Sequence, residues 1–138
     1  MKIQSIQFHD QTIQVLQHED KPYIAMRSLC ENIGLDWEGQ RQRINRNKVL
    51  KATACMIKAV AEDGKSREIF AIPLGYLNGW LAGIDINRVK PEIRETLYLY
   101  QLECYDVLYN HFLPEVAAVY PNTIDAEQQH EIKSLVNE

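Results

Sequence analysis

Two short helices joined by a glycine turn are predicted by the segment Ser28-Leu-Cys-Glu-Asn-Ile-Gly-Leu-Asp-Trp-Glu-Gly-Gln-Arg-Gln-Arg-Ile-Asn-Arg-Asn47. Ser28 and Glu31 have the spacing of a capping box, which places the start of the first helix at about Leu29. Gly34 ends this helix, because glycine adopts the left-handed conformation of a helix C-terminus without a steric penalty. The pattern as a whole is that of a helix-turn-helix.

The second predicted helix spans residues 37–48 and is basic. Asp36 is a favourable N-cap for a start at Trp37, and helical periodicity places Trp37 and Ile44 on one face. From residue 39 to residue 61 the chain has six cationic side chains and no acidic one, although its formal net charge is −4. A local positive surface on an acidic protein indicates a specific anionic partner. The candidate DNA- or partner-binding residues project from the opposite face or flank it: Arg41, Gln42, Arg43, Arg46, Asn47, Lys48 and Lys51.

The length and composition are those of a globular domain with a core of its own. The chain has 138 residues, of which 46% are hydrophobic and 25% are charged. We expect one domain over residues 1–113, and a linker with the start of a C-terminal helix or of a trimmed second domain over residues 114–138. No apolar run approaches a membrane span, the first residues lack a secretory signal, and the three cysteines are widely spaced. These features favour a cytoplasmic protein with free thiols and no membrane partner.

Strand patterns occur on both sides of the helical pair. Residues 3–8, 12–17 and 22–25 predict a small antiparallel sheet. Residues 52–60 and 67–72 flank the turn signal Asp63-Gly64 and predict a second hairpin. This hairpin either forms the wing of a winged helix or completes the sheet begun at the N-terminus.

Two further helices complete the predicted α+β fold. A helix over residues 74–83 follows Pro73, and a long C-terminal helix runs from about Pro91 to Phe112 and is ended by Pro114. Apolar side chains cover most of the long helix, more than a small domain can bury on one side. We therefore expect this helix to form the interface of a dimer or tetramer through Leu97, Tyr98, Leu102, Tyr105, Tyr109 and Phe112.

The residues by themselves leave several functions open. The basic helix suits DNA reading, since Arg contacts guanine, Gln and Asn contact adenine, and Lys contacts phosphates. The same charges also occur on a helix face that is only solvated. No cysteine or histidine pair has metal-ligand or nucleophile spacing, and no phosphate-binding glycine loop is present. We therefore expect no enzyme activity, no catalytic residues, no metal and no cofactor.

Several separated motifs resemble one family in the same order along the chain. They are Lys21–Gln40, Ile72-Pro-Leu, Gly79-Trp-Leu-Ala-Gly-Ile84, Asn87-Arg-Val-Lys-Pro91 and Tyr100-Gln-Leu-Glu-Cys-Tyr-Asp-Val-Leu108. Over about residues 8–112 the chain resembles the N-terminal domain of phage antirepressor (Ant) proteins, which is related to the Bro-N domain. Ala82 departs from the larger residue usual in the family, and full-length antirepressors generally carry a further C-terminal domain.

The resemblance implies a phage or prophage regulator in a bacterial host cell. Such a protein binds the phage repressor and keeps it from its operator, so that lytic genes are expressed. The related Bro-N domains are associated with DNA binding, which keeps double-stranded DNA as the alternative partner. A repressor's DNA-binding face is positive, so acidic side chains can occupy it in place of phosphates. Candidates for that role are Glu62, Asp63, Glu68, Glu103 and Asp106.

Overall fold

A five-stranded antiparallel sheet organises the domain in the computed structural model, which describes residues 3–60 and 63–119. The strands are β1 (Ile3–Phe8), β2 (Gln11–His18), β3 (Lys21–Ala25), β4 (Cys55–Val60) and β5 (Ser66–Pro73), in the order β1-β2-β3-β5-β4. β3 pairs with β5 through three residue pairs, from Tyr23↔Pro73 to Ala25↔Ala71. The second hairpin therefore completes the N-terminal sheet, and the wing alternative is wrong.

Three short helices connect β3 to β4: α1 (Met26–Ile33), α2 (Trp37–Arg46) and α3 (Lys48–Thr53). The predicted capping box is wrong, because α1 begins at Met26 and no side chain caps it. Met26 is fully buried, and its packing lets the helix follow β3 without an intervening loop. The predicted end of the second helix is also wrong, since α2 stops at Arg46 and Asn47 caps α3, which begins at Lys48. Consequently β4 begins at Cys55 rather than at residue 52.

The C-terminal half is helical. Helix α4 spans Leu74–Ala82, a 3₁₀ turn spans Pro91–Ile93, and a long helix follows without a break. We call this long element the C-terminal helix; it consists of α5 (Arg94–Leu99), a π-helical segment (Tyr100–Cys104) and α6 (Tyr105–Val119). Pro114 does not end it, contrary to the prediction, because proline removes one backbone donor without forcing every helix to stop. Residues 120–138, which hold most of the segment predicted to contain a linker and the start of a C-terminal helix, lie outside the described part of the chain.

The main core lies between one face of the sheet and the helices. Its largest fully buried side chains include Trp80, Tyr100 and Phe112. A smaller cluster around Leu16, Tyr23 and Ile57 occupies the opposite face of the sheet. None of the helices within residues 3–60 and 63–119 is both long and apolar enough to cross a membrane.

Candidate partner-binding surface

The local structure around α2 follows the predicted signals. Gly34 has a φ of +97° and ends α1, and the Asp36 carboxylate accepts a hydrogen bond of 3.0 Å from the Gly39 amide. Ile44 is fully buried, and the Trp37 ring packs edge-on against Phe70 at a centroid distance of 5.4 Å. The face of α2 that carries Trp37 and Ile44 therefore packs inward, as the periodicity predicts.

Arg43 lies against the interior rather than on the exposed face, so its predicted orientation is wrong. Its Nη2 donates to the Trp80 carbonyl oxygen at 3.2 Å, and its Nη1 donates to the Gln40 side chain at 3.2 Å. Burial lowers the pKa of the Arg43 guanidinium. A Cβ on Gly83 would collide with this guanidinium, so the absence of a side chain there provides the space that it occupies. Arg43 adjoins Ile44 in the sequence, which places it at the boundary of the buried face.

The end of α4 explains why the cation is needed at this position. The last carbonyls of a helix have no partner within the helix, and a positive charge there also stabilises the helix dipole. Gln101 of the π-helical segment donates to the carbonyls of Leu81 and Ile84 at 3.0 and 2.9 Å, beside the bond from Arg43. Two elements distant in sequence thus satisfy the end of α4.

Three other candidate residues of the predicted surface also have partners. Arg41 forms an ion pair with Glu38 at 2.5 Å, which raises the pKa of Arg41 and lowers the pKa of Glu38. Gln42 donates to the same Glu38 carboxylate at 3.5 Å. The Asn47 side chain accepts from the amides of Val49 and Leu50 at 3.1 and 3.0 Å and so caps α3. These contacts give Arg41, Gln42 and Asn47 local structural roles.

Three cations remain available where α2 meets α3. We define the basic patch as Arg46, Lys48 and Lys51, all of which are exposed. None of the three side chains forms a hydrogen bond or ion pair with another residue in the described ranges. The structure thus reduces the predicted seven-residue surface to three free positive charges.

The acidic candidates are spread over the molecule. Asp63 pairs with Arg67 at 2.6 Å, and Glu103 pairs with His9 at 2.6 Å. Glu68 is exposed and lies opposite Lys58 in the β4–β5 ladder. Asp106 is exposed on α6, and Glu62 lies outside the described residues. Of the four described candidates, Asp63 and Glu68 belong to the β4–β5 hairpin, and Glu103 and Asp106 belong to the C-terminal helix.

The predicted oligomer interface divides into buried and accessible residues. Leu97 and Phe112 are fully buried in the core, so their assignment to an interface is wrong. Tyr98 and Leu102 are 53% and 56% exposed. Tyr105 and Tyr109 are half-buried and stack on each other at a centroid distance of 5.8 Å. We call the four accessible residues, Tyr98, Leu102, Tyr105 and Tyr109, the tyrosine face.

A groove of about 600 Å³ lies where β3 ends and α1 begins. Its lining combines an apolar part, from Trp37, Met56 and Phe70, with charged side chains of both signs from α1, α2 and β5. We call it the β3 groove. The sequence contains no local motif for it, because it arises from strands of different length that pair in an order unlike their order in the chain.

Comparison with known proteins identifies the family to which this fold belongs. A model of the P22_AR N-terminal domain matches residues 4–118. Searches of curated proteins and of solved structures each found no significant match. The family match covers most of the chain and agrees with the antirepressor resemblance of its motifs. The chain therefore belongs to the P22_AR N-terminal domain family, the N-terminal domain of phage antirepressors.

Proposed function

We propose that this domain acts in antirepression by binding the phage repressor protein in the cytoplasm of the bacterial host. The observation that carries the proposal is membership of the antirepressor family over residues 4–118. The bound repressor would no longer occupy its operator, so lytic genes would be expressed. This role requires binding alone, and we expect neither catalysis nor a cofactor.

Most side chains of the predicted DNA-reading face already have partners within the domain, which supports a protein as the binding partner. Arg43 and Asn47 are engaged in contacts that hold the fold together, and Arg41 is paired with Glu38. Direct reading of bases requires side chains that are free to reach the base edges. In a chain of net charge −4, the three cations of the basic patch form a small electrostatic footprint for a DNA-binding domain.

Double-stranded DNA is the second candidate partner, and one observation favours it. Arg46, Lys48 and Lys51 are exposed and unpaired within the described part of the chain, as phosphate-contacting residues must be. Three phosphate contacts would give a salt dependence with a slope of roughly −0.9 per phosphate in log K against log salt. The two candidates therefore differ in a measurable way.

A charge-reversal variant separates the two candidates. The triple variant R46E/K48E/K51E removes the basic patch, and K21E/K65E/K90E makes the same change in net charge at three other exposed lysines. Binding to the purified repressor and to operator DNA is measured for both variants by fluorescence anisotropy. We expect repressor binding by both variants to stay within about twofold of the parent, a difference well below 1 kcal/mol. Salt-sensitive DNA binding by the parent that only R46E/K48E/K51E abolishes would establish the DNA candidate instead.

We further propose that the domain forms a dimer or tetramer through the tyrosine face. Four neighbouring apolar or amphipathic residues stay accessible on the C-terminal helix, and tyrosine is enriched at protein interfaces. A multimer would present linked copies of its binding surface to a dimeric repressor, and linked sites bind more tightly than single sites.

A further inference from the structure

The β3 groove exists because β3 is shorter than the strands on either side of it. The β3–β5 ladder ends at Ala25↔Ala71, and the chain then turns into α1 at Met26. β5 continues for residues 66–70, which pair with β4 on one side only. On the other side, where β3 would continue, no described strand pairs with them.

Beyond the end of β3 a gap separates β5 from β2, and the β2 side of this gap is already covered. β2 also extends beyond its ladder with β3, over residues 11–14. There the Asn32 side chain of α1 donates to the Thr12 carbonyl at 2.7 Å, and the Gln11 side chain donates to the Asn32 carbonyl at 2.9 Å. The end of α1 thus covers the β2 side and leaves β5 as the open edge. Unpaired edge strands are templates for the addition of another strand.

The side chains around this edge suit a polypeptide. The Trp37–Phe70 pair and Met56, which is 55% exposed, provide an apolar surface. The charged lining consists of three arginines and two glutamates: Arg27, Arg41, Arg67, Glu31 and Glu68. A nucleic acid backbone would bring its phosphates against the two glutamates. Arg27 is paired with Glu31, Arg41 with Glu38 and Arg67 with Asp63, so Glu68 is the charged side chain of the lining that has no partner within the described residues. Its free carboxylate complements a peptide that carries a cationic side chain.

We infer that the β3 groove receives an extended segment of the repressor, which adds to the free edge of β5 as a strand in the line of β3. The segment has an apolar side chain over Trp37 and Phe70 and a cationic side chain opposite Glu68. In such strand addition, main-chain hydrogen bonds supply affinity and alternate side chains supply specificity. The inference rests on the proposed function, for which it names the binding site and the form of the partner.

Hydrogen exchange of the full chain tests the strand addition directly. The chain is measured alone at two concentrations and with the purified repressor encoded by the same phage genome. We expect amides within residues 67–70 that face the gap to exchange at least about tenfold more slowly in the complex, because new strand bonds protect them. Repressor binding without protection at residues 67–70 would overturn the inference and leave the proposed function intact.

Evidence that the β3 groove receives one of two other occupants would also overturn the inference. Protection of residues 67–70 in the chain alone, rising with concentration, would mean that a second copy fills the groove. The same protection produced by operator DNA without repressor would assign the groove to nucleic acid. A parent chain that does not bind the repressor at all would refute the proposed function, and the inference with it.

A groove-filling variant provides an independent test. Ser28 lines the groove from α1, so Ser28→Tyr places a ring where the segment would lie. Asn78→Tyr is the matched control, since Asn78 is an exposed residue of α4 outside the lining. We expect S28Y to weaken repressor binding by at least about tenfold and N78Y to change it by less than about twofold, with similar thermal unfolding. Equal binding by S28Y and N78Y would contradict the inference. If S28Y does not fold, Glu68→Lys on the exposed part of β5 makes the same comparison, with Glu92→Lys, an exposed position outside the lining, as its control.

Discussion

Arg43 is a surface-type residue that has a structural role in this domain. Its guanidinium reaches from α2 to the last turn of α4, where it donates to the Trp80 carbonyl in the space left by Gly83. The sequence predicts the cation on α2 but not its direction. Helical periodicity describes the faces of one helix only, whereas the Trp80 carbonyl that accepts from Arg43 lies 37 residues further along the chain.

Replacement of Arg43 should therefore destabilise the fold more than replacement of a neighbouring arginine. We expect Arg43→Ala to lower the free energy of unfolding by about 1–3 kcal/mol, because a buried carbonyl loses its donor. Arg46→Ala on the exposed side of the same helix should change it by less than about 0.5 kcal/mol. Urea denaturation of both variants checks the difference. Equal stability of the two variants would contradict the inward role of Arg43.

A double-mutant cycle isolates the contact between Arg43 and Gly83. Gly83 has a right-handed φ of −78°, so alanine is unstrained there and its methyl group acts only through the collision with the guanidinium. We expect Gly83→Ala to cost about 1–3 kcal/mol in the parent and clearly less in the Arg43→Ala background. An equal cost in both backgrounds would mean that the methyl group collides with something else.

The cysteines support a prediction at the same scale. Burial raises the pKa of the Cys30 and Cys104 thiols to about 12, from a usual 9.0. At pH 8 only about one of these thiols in ten thousand is a thiolate. We therefore expect a thiol reagent to modify the half-buried Cys55 in the folded protein, and the other two only after unfolding. Three thiols modified at equal rates would contradict the burial.

The raised pKa values of Cys30 and Cys104 also give the direction in which the stability of the fold changes with pH. The unfolded thiols lose protons near pH 9, whereas the folded thiols keep theirs until about pH 12. The contribution of these two thiols to the free energy of unfolding is thus fully present below pH 9, and it falls as the pH rises from 9 to 12. Urea midpoints measured across this range check the decline.

At the scale of elements, some local signals predicted the ends of helices and the turns correctly, whereas the capping box at Ser28 and the stop at Pro114 were wrong. Gly34, Asp36 and the Asp63-Gly64 turn behave as their chemistry predicts. The sequence predicts one long helix from about Pro91 to Phe112, whereas in the structure a π-helical segment changes the phase between α5 and α6. This phase change alters which residues of the long helix face the core. The apolar pattern itself does not separate Leu97 and Phe112, which belong to the core, from Tyr98 and Leu102, which remain exposed.

The N-cap of α2 can be tested by removal of one carboxylate. Asp36 accepts from the Gly39 amide, so we expect Asp36→Ala to lower the free energy of unfolding by about 1 kcal/mol. Asp106→Ala, at an exposed position of α6, should change it by less than about 0.5 kcal/mol. Denaturant titration distinguishes the two. A smaller loss for D36A than for D106A would show that the cap does not stabilise α2.

At the scale of the molecule, the sequence predicted the strands but not their arrangement. The hairpin signals define pairs of consecutive strands, whereas the β3–β5 ladder joins residues about 50 positions apart. Such a contact depends on which faces are apolar in three dimensions, and a local pattern is compatible with both a wing and a completed sheet. The β3 groove is a product of that long-range pairing, and for the same reason no motif predicted it.

The oligomer proposal belongs to this scale and has a simple test. Leu102→Glu places a charge on the tyrosine face, and Val49→Glu is a control because Val49 on α3 is similarly exposed, at 54%. We expect the parent and V49E to sediment as a dimer or tetramer and L102E to dissociate, since a buried unpaired carboxylate is strongly unfavourable. A parent chain that sediments as a monomer at micromolar concentration would contradict the proposal.

The most direct measurement of the central claim is a competition gel shift. The full chain is titrated onto the cognate repressor bound to its operator, and in parallel onto the operator alone. We predict that the repressor–operator complex disappears while the chain by itself shifts no DNA. A complex that resists the chain, together with a salt-sensitive shift by the chain alone, would contradict repressor capture and make the domain a DNA-binding regulator.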